Sequence, residues 1–76
     1  MGHDIAAAAE AEHSRLKLPG RVQVGYSYGN PSSVWLIVES DGITWSNQVR
    51  SSGRLTPAGA RDCVRVLADS WEDRAS

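Results

Sequence analysis

The chain has 76 residues, with eight Lys and Arg residues against nine Asp and Glu residues, and a formal net charge of −1. This length is close to the lower limit at which one core can hold a chain together, so we expect a single domain over 1–76. The charge balance excludes a general attraction to nucleic acid or to anionic membranes, and the single cysteine excludes an internal disulfide.

The first predicted element is an N-terminal helix over residues 1–18. Asp4 can cap it, the alanine run at 6–9 favours helical backbone, and a Pro-Gly pair at 19–20 stops it. Its apolar stripe is thin, because Glu12 interrupts it. We therefore expect this helix to dock weakly on the rest of the domain.

The next predicted unit is a three-stranded antiparallel sheet over residues 21–49. Alternating side chains predict a first strand at 21–28, and the side chains that point to the core are Val22, Val24, Tyr26 and Tyr28. The composition of the segment Gly29–Ser33 predicts a loop that leads to the second strand.

A hairpin signal at Asp41-Gly42 fixes the pairing of the second and third strands, because both residues tolerate the positive φ angles of a type I′ turn. Counting outward pairs Ser40 with Ile43 and Val34 with Val49. Side-chain alternation then places an apolar set on one face, which we expect to be the core: Val34, Leu36, Val38, Ile43, Trp45 and Val49.

The last predicted element is a C-terminal helix over residues 56–73. Thr56 as N-cap and Pro57 at the first helical position mark its start. Apolar side chains follow at helical spacing, namely Ala60, Cys63, Val64, Leu67 and Trp71. We therefore expect an α+β fold of order αβββα, in which this helix packs against a three-stranded antiparallel meander.

The other face of the hairpin is the first candidate site. It is mostly polar but carries Trp35 and Ile37, with Thr44, Ser46 and Gln48 beside them. An apolar pair on an otherwise polar face is typical of a contact with a protein partner or with a second copy of the chain. The alternative is that the N-terminal helix folds over this face and buries the pair.

The second candidate site is an arginine surface for contact with nucleic acid, formed by Arg50, Arg54, Arg61 and Arg65. Guanidinium groups bind phosphates, so a stripe of them could follow a nucleic-acid backbone. The alternative is a solvated surface on which acidic side chains of the last helix neutralise the arginines, and the acidic balance of the chain favours this alternative. Nucleic acid therefore ranks below protein as the expected partner.

Catalytic and metal-binding chemistry has little support in the sequence. His3 and His13 are ten residues apart, which matches no recognised ligand spacing. Cys63 lies on the apolar stripe of the last helix, where a buried hydrophobe is the ordinary explanation, and no serine stands in a Gly-x-Ser-x-Gly turn. We expect no enzymatic activity, no metal and no cofactor.

Two resemblances bear on function. The order αβββα resembles the double-stranded RNA-binding domain in topology alone, because this chain has Thr56–Ala60 where that family has a lysine-rich turn that grips phosphates. The segment Leu55–Arg61 resembles the opening of the last helix in small uncharacterised domains of actinobacteria and their phages. Such domains include phage and mobile-element products that bind and block a host protein, so this resemblance implies an inhibitor or adaptor.

The sequence therefore predicts a small non-enzymatic protein-interaction module, an accessory or inhibitory protein of the phage or mobile-element type. It would bind a host protein or associate with itself through the face that carries Trp35 and Ile37. No segment reaches the roughly 18 apolar residues of a membrane-spanning helix, and the N-terminus has no signal-peptide pattern. We therefore expect a cytoplasmic protein without membrane contact.

Overall fold

The computed structural model describes residues 2–75, and the side chains from Asp4 to Arg74. Along the chain, a helix is followed by three antiparallel strands, each paired with the next, and then by a second helix. The elements are α1 (Gly2–Arg15), β1 (Arg21–Ser27), β2 (Asn30–Ser40), β3 (Ile43–Arg50) and α2 (Pro57–Ala75). The predicted α+β class and the order αβββα are confirmed.

The hairpin of β2 and β3 has the predicted register. Its turn consists of Asp41 at φ 54° and Gly42 at φ 79°, and Ser40 pairs with Ile43 across it. The pairing continues without interruption to Val34 opposite Val49 and ends with the next pair, Ser33 opposite Arg50. The assignment of side chains to the two faces of this hairpin therefore stands.

The connection of β1 to β2 differs from the prediction. The segment predicted as a loop, Gly29–Ser33, is strand from Asn30 onward, and the turn is only Tyr28 and Gly29, at φ 52° and φ 79°. A two-residue turn needs positive φ at both positions, and tyrosine is a rare residue for that backbone. Composition alone therefore misplaced the turn.

A β-bulge explains how Pro31 is accommodated in the central strand. Gly25 pairs with Ser33 and Tyr26 pairs with Pro31, which leaves Ser32 as an extra residue on β2. The backbone carbonyl of Pro31 accepts a hydrogen bond from the Leu55 N–H at 3.0 Å. The carbonyl of Ser32 similarly accepts one from the Ser51 N–H at 2.8 Å. The irregular start of β2 is thus held by the chain that leads to α2.

Helix α1 ends earlier than the Pro-Gly pair at 19–20 predicted. Lys17 adopts φ 54°, the Leu18 N–H bonds the His13 carbonyl at 3.2 Å, and the Lys17 N–H bonds the Ser14 carbonyl at 3.1 Å. These two bonds form a Schellman motif, which ends the helix at Arg15, four residues before Pro19. Asp4, predicted as the cap, lies inside the first turn, since the helix begins at Gly2.

Helix α2 begins as predicted. The hydroxyl oxygen of Thr56 accepts a hydrogen bond from the Gly59 N–H at 3.0 Å, which is the bond that an N-cap makes. The predicted apolar stripe is also confirmed: Ala60, Cys63, Val64 and Leu67 are buried, and Trp71 is half-buried against them. The helix runs two residues further than expected, to Ala75.

Both helices pack on the same face of the sheet. Helix α2 lies against β2 and β3, while α1 lies beside α2 and over β1. The centre of the core consists of Val34 and Leu36 from the sheet and Val64 and Leu67 from α2. The buried apolar side chains of α1 are Ile5, Ala8 and Ala9. Because two of them are alanines, α1 packs less tightly than α2. This confirms the prediction that the N-terminal helix is the more weakly docked of the two.

Three side chains assigned to the core face are exposed. Tyr26 is 55% exposed and Tyr28 fully exposed, although both were expected to point to the core with Val22 and Val24. Ile43 is 68% exposed at the opposite end of the sheet. All three residues lie in or near the turns of the two hairpins, where the correct face does not ensure burial. Neither helix of the described chain is long and apolar enough to cross a membrane.

Candidate protein-interaction surface

The sheet face opposite the helices is the candidate site, and we call it the open face. It consists of Arg21, Gln23 and Gly25 from β1, Ser33, Trp35, Ile37 and Glu39 from β2, and Thr44, Ser46, Gln48 and Arg50 from β3. Nothing in residues 2–75 packs over it, because both helices contact the other side of the sheet. The alternative that α1 buries Trp35 and Ile37 is therefore wrong.

Trp35 and Ile37 form the apolar centre of the open face. Both are half-buried by their neighbours within the sheet. The indole edge of Trp35 lies over the bare backbone of Gly25, where an added Cβ atom would be 3.3 Å from Nε1 and 3.6 Å from Cδ1. Gly20 likewise approaches the backbone carbonyl of Ile37 so closely that a Cβ atom has no room. Gly25 thus lets the indole of Trp35 lie close to the sheet, and Gly20 lets the chain before β1 approach the backbone of β2.

The polar part of the open face lies on β3. Thr44 and Ser46 are exposed and Gln48 is half-buried, so hydroxyl and amide groups border the apolar centre on this side. The strand is tied to α2 from behind, because Asn47 Nδ2 donates a hydrogen bond to Ser70 Oγ at 2.8 Å. Asn47 Oδ1 also accepts the backbone N–H of Gln48 at 2.9 Å. The structure therefore brings all five predicted contact residues onto one anchored surface.

Charged side chains stand at the two ends of the open face. Arg21 pairs with Ile37, and Glu39 follows Ile37 on the same face of β2. These three residues and Gly20 line a shallow depression. Arg50 lies at the other end, opposite Ser33. The Ile37 end of the face therefore carries one acidic and one basic side chain, Glu39 and Arg21, and the other end carries a basic one, Arg50.

The predicted arginine surface is not assembled as one stripe. Arg50 lies on the open face, whereas Arg61 and Arg65 lie on α2, which covers the opposite side of the sheet. Arg54 is exposed in the connection before α2, beside a shallow depression that Ile5 also lines. Their positions in the fold, rather than their spacing in the sequence, separate these four side chains.

Arg65 also belongs to a cluster of charged side chains between the helices, together with Glu12, Arg15 and Asp62. Its Nε donates to Glu12 Oε2 at 2.8 Å, and its Nη1 donates to Asp62 Oδ1 at 2.8 Å. Glu12 is 3% exposed and also accepts two hydrogen bonds from Arg15, at 2.7 and 2.8 Å. The hydrogen bonds from Arg15 and then Arg65 lower the pKa of Glu12 to about 2. Glu12 was expected to weaken α1, but it joins α1 to α2.

An aromatic cluster at the hairpin end of α2 was not predicted. The rings of Trp45 and Trp71 are 5.1 Å apart at 68°, an edge-to-face arrangement, and the guanidinium of Arg74 stacks over Trp71 at 4.8 Å. The exposed Ile43 lines a depression beside them. Trp71 and Arg74 are three residues apart on a helix, so their contact could have been predicted, but the rotation of α2 over Trp45 could not.

The other side chains considered as candidates, Cys63 and His13, have the environments of structural residues. Burial and then the Asp62 carboxylate raise the pKa of the Cys63 thiol, and His13 Nε2 hydrogen-bonds the Pro19 carbonyl at 3.0 Å. The side chain of His3 lies outside the described residues. Within the described part of the chain no three His, Cys, Asp or Glu residues are grouped as metal ligands.

No protein family, curated protein or solved structure matches this chain.

Proposed function

We propose that this protein is a small, non-enzymatic protein-interaction module whose contact surface is the open face. One observation carries the proposal: Trp35 and Ile37 lie on a sheet face that no described element covers. Tryptophan is the residue most enriched among side chains that dominate the energy of protein interfaces. The partner is a host protein or a second copy of the chain.

The surface around the apolar centre supports the same proposal. Thr44, Ser46 and Gln48 supply hydrogen-bonding groups at the border, which is the arrangement of an apolar interface core with a polar rim. The indole edge of Trp35 already packs on Gly25 before any partner arrives. A surface that is ordered in advance loses little conformational entropy on binding.

The resemblance of Leu55–Arg61 to small phage and actinobacterial domains suggests the biological class. We propose an accessory or inhibitory protein of the phage or mobile-element type, which acts in the cytoplasm by occupying a surface of its target. The segment itself forms the cap and first turn of α2 and does not touch the open face. It therefore supports the class of protein and not the location of the contact.

A matched pair of tryptophan substitutions tests the open face. Trp35→Glu should lower retention of a protein partner from lysate at least about tenfold while costing less than about 1.5 kcal/mol of stability, because Trp35 lies on the face away from the core and both helices. Trp45→Glu should cost more than about 3 kcal/mol, because it places a charge against Trp71. Thermal unfolding and quantitative mass spectrometry of retained proteins give the two measurements.

Two results would contradict the proposal. The first is that Trp35→Glu unfolds the domain as severely as Trp45→Glu. The second is that the bound material disappears after nuclease treatment and binding falls steeply with added salt, which would indicate nucleic acid held by arginines. That alternative has less support, since Arg65 is ion-paired to Glu12 and Arg50 lies on the other side of the sheet from α2.

A further inference from the structure

The open face has a pattern that is complementary to itself. Cross-strand pairing arranges its centre as two rows, one through Ile37 and the next through Trp35. Glu39 lies one row outside Ile37, and Arg50 lies one row outside Trp35. Rotation by 180° about an axis between the two central rows therefore exchanges an isoleucine with a tryptophan and brings Glu39 to the row of Arg50. The same rotation brings Arg21, in the Ile37 row, over Gln23 in the Trp35 row.

We propose that the partner of the open face is a second copy of this chain, packed face to face with its strands antiparallel to those of the first. This proposal rests on the proposed function, because it names the partner of the same surface. The two-fold axis lies between the sheets, perpendicular to the strands, and passes between Ile37 and Trp35. Every contact then occurs twice, as in all such dimers.

The contacts of this dimer follow from the register. Ile37 packs on Trp35 of the second copy, and Trp35 packs on its Ile37. Glu39 comes to the row of the second copy that contains Ser33 and Arg50, which are neighbours across β2 and β3. Ser33 is buried, so the exposed Arg50 is the side chain of that row that the carboxylate meets. The dimer therefore gains two apolar contacts at the centre and two carboxylate–guanidinium pairs at the ends.

The other two-fold packing of the same faces is unfavourable. An axis parallel to the strands would place each residue of β2 over its own copy. The Glu39 carboxylates would then face each other at the interface, where two like charges lose water and repel. Charge complementarity thus selects the antiparallel arrangement over the parallel one.

The size of the face predicts a weak dimer. Three strands at ordinary spacing give a surface about 15 Å wide and about 25 Å long. Two copies would bury roughly 800 Å² in total, which is less than the roughly 1,000 Å² of a stable interface and typical of weak, transient association. We therefore expect a Kd on the order of 100 μM and association that depends on concentration.

Sedimentation velocity of the full chain, from about 10 μM to about 1 mM, tests the dimer. Glu39→Arg and Arg50→Glu should each raise the Kd at least about tenfold, because each leaves like charges at both ends of the interface. The double variant with both changes should return the Kd to within about threefold of the original, since the pairs are restored with reversed sign. Glu10→Arg, an equal charge change at an exposed position of α1, should leave the Kd unchanged.

Two results would overturn the inference. A particle that stays monomeric at about 1 mM excludes the dimer. A double variant that dimerises no better than either single variant excludes the antiparallel arrangement. If the chain is monomeric but still retains another protein in a manner that depends on Trp35, the proposed function stands and only the identity of the partner is wrong.

Discussion

Glu12 accepts hydrogen bonds from Arg15 on its own helix and from Arg65 on α2. A carboxylate with so little exposure requires such partners, because an unpaired buried charge is costly. From the sequence, Glu12 interrupts an apolar stripe and weakens the helix. The partner that reverses this effect stands 53 residues later, and no local pattern indicates that the two will meet.

The Glu12 cluster makes stability depend on pH. The pKa of Glu12 falls from its ordinary 4.5 to about 2 in the folded protein. A lowered folded-state pKa stabilises the fold fully above 4.5, and this contribution is lost as the pH falls from 4.5 toward 2. Thermal unfolding of the protein and of Glu12→Gln should show a difference in Tm at pH 6 that shrinks through this range.

Glu10→Gln is the control for that experiment, because Glu10 is an exposed carboxylate on the same helix. Its Tm should follow that of the unchanged protein at every pH. A Tm difference for Glu12→Gln that persists undiminished at pH 2 would mean that the cluster is not electrostatic in origin.

Gly25 should be intolerant of a side chain. A Cβ atom there would collide with the Ser33 hydroxyl and press on the indole of Trp35. We expect Gly25→Ala to cost about 1–3 kcal/mol in chemical denaturation, because the sheet must shift to admit the methyl group. The matched control is Gly53→Ala, where no atom lies within 4 Å of the added carbon, and it should change stability by less than about 1 kcal/mol. Equal effects of the two changes would contradict the packing of Trp35 on Gly25.

The two hairpins show which elements the sequence can specify. Asp41-Gly42 is a turn pair whose residues favour the required backbone, so the register of β2 and β3 could be counted in advance. Tyr28-Gly29 has the same backbone with an unfavourable first residue, and Pro31 suggests a break where a bulge occurs. Composition predicts turns only where the residues suit the conformation.

The Tyr28 turn is therefore a place where stability can be gained. Tyr28→Asn should stabilise the protein by about 0.5–1 kcal/mol, because asparagine adopts positive φ at lower cost than tyrosine. The fully exposed ring loses no packing when it is removed. Urea denaturation measures the gain, and Asp41→Asn, at a turn position that already has a favourable residue, should change stability little. A loss of stability in Tyr28→Asn would show that the ring makes a contact that offsets the strain.

At the scale of the whole molecule, the two helices share one face and leave the other bare. The face that α2 covers was predictable, because its apolar stripe matches the apolar set of the sheet. The position of α1 was not predictable, because its small buried side chains fit many surfaces. The contact that fixes its position is the ion pair of Glu12 with Arg65. Packing between elements distant in sequence decides this part of the fold.

The candidate sites were predictable to different extents for the same reason. Trp35, Ile37 and their neighbours share a face by strand alternation, which a hairpin register fixes at once. The arginines lie on a strand, a connection and a helix, so their grouping depends on how those elements are oriented. A surface within one sheet can be inferred from sequence, whereas one that spans three elements requires the structure.

The tryptophans give this protein two separate optical reporters. One is the edge-to-face pair of Trp45 and Trp71, and the other is Trp35. The pair is close enough for the two indoles to couple in the far ultraviolet, so a circular dichroism band from it would report packing of α2 on the sheet. Trp35, the third tryptophan of the chain, stands apart on the open face, and its fluorescence would respond to whatever covers that face. A change in tryptophan fluorescence without a change in that circular dichroism band would therefore report binding at the open face in the unlabelled chain.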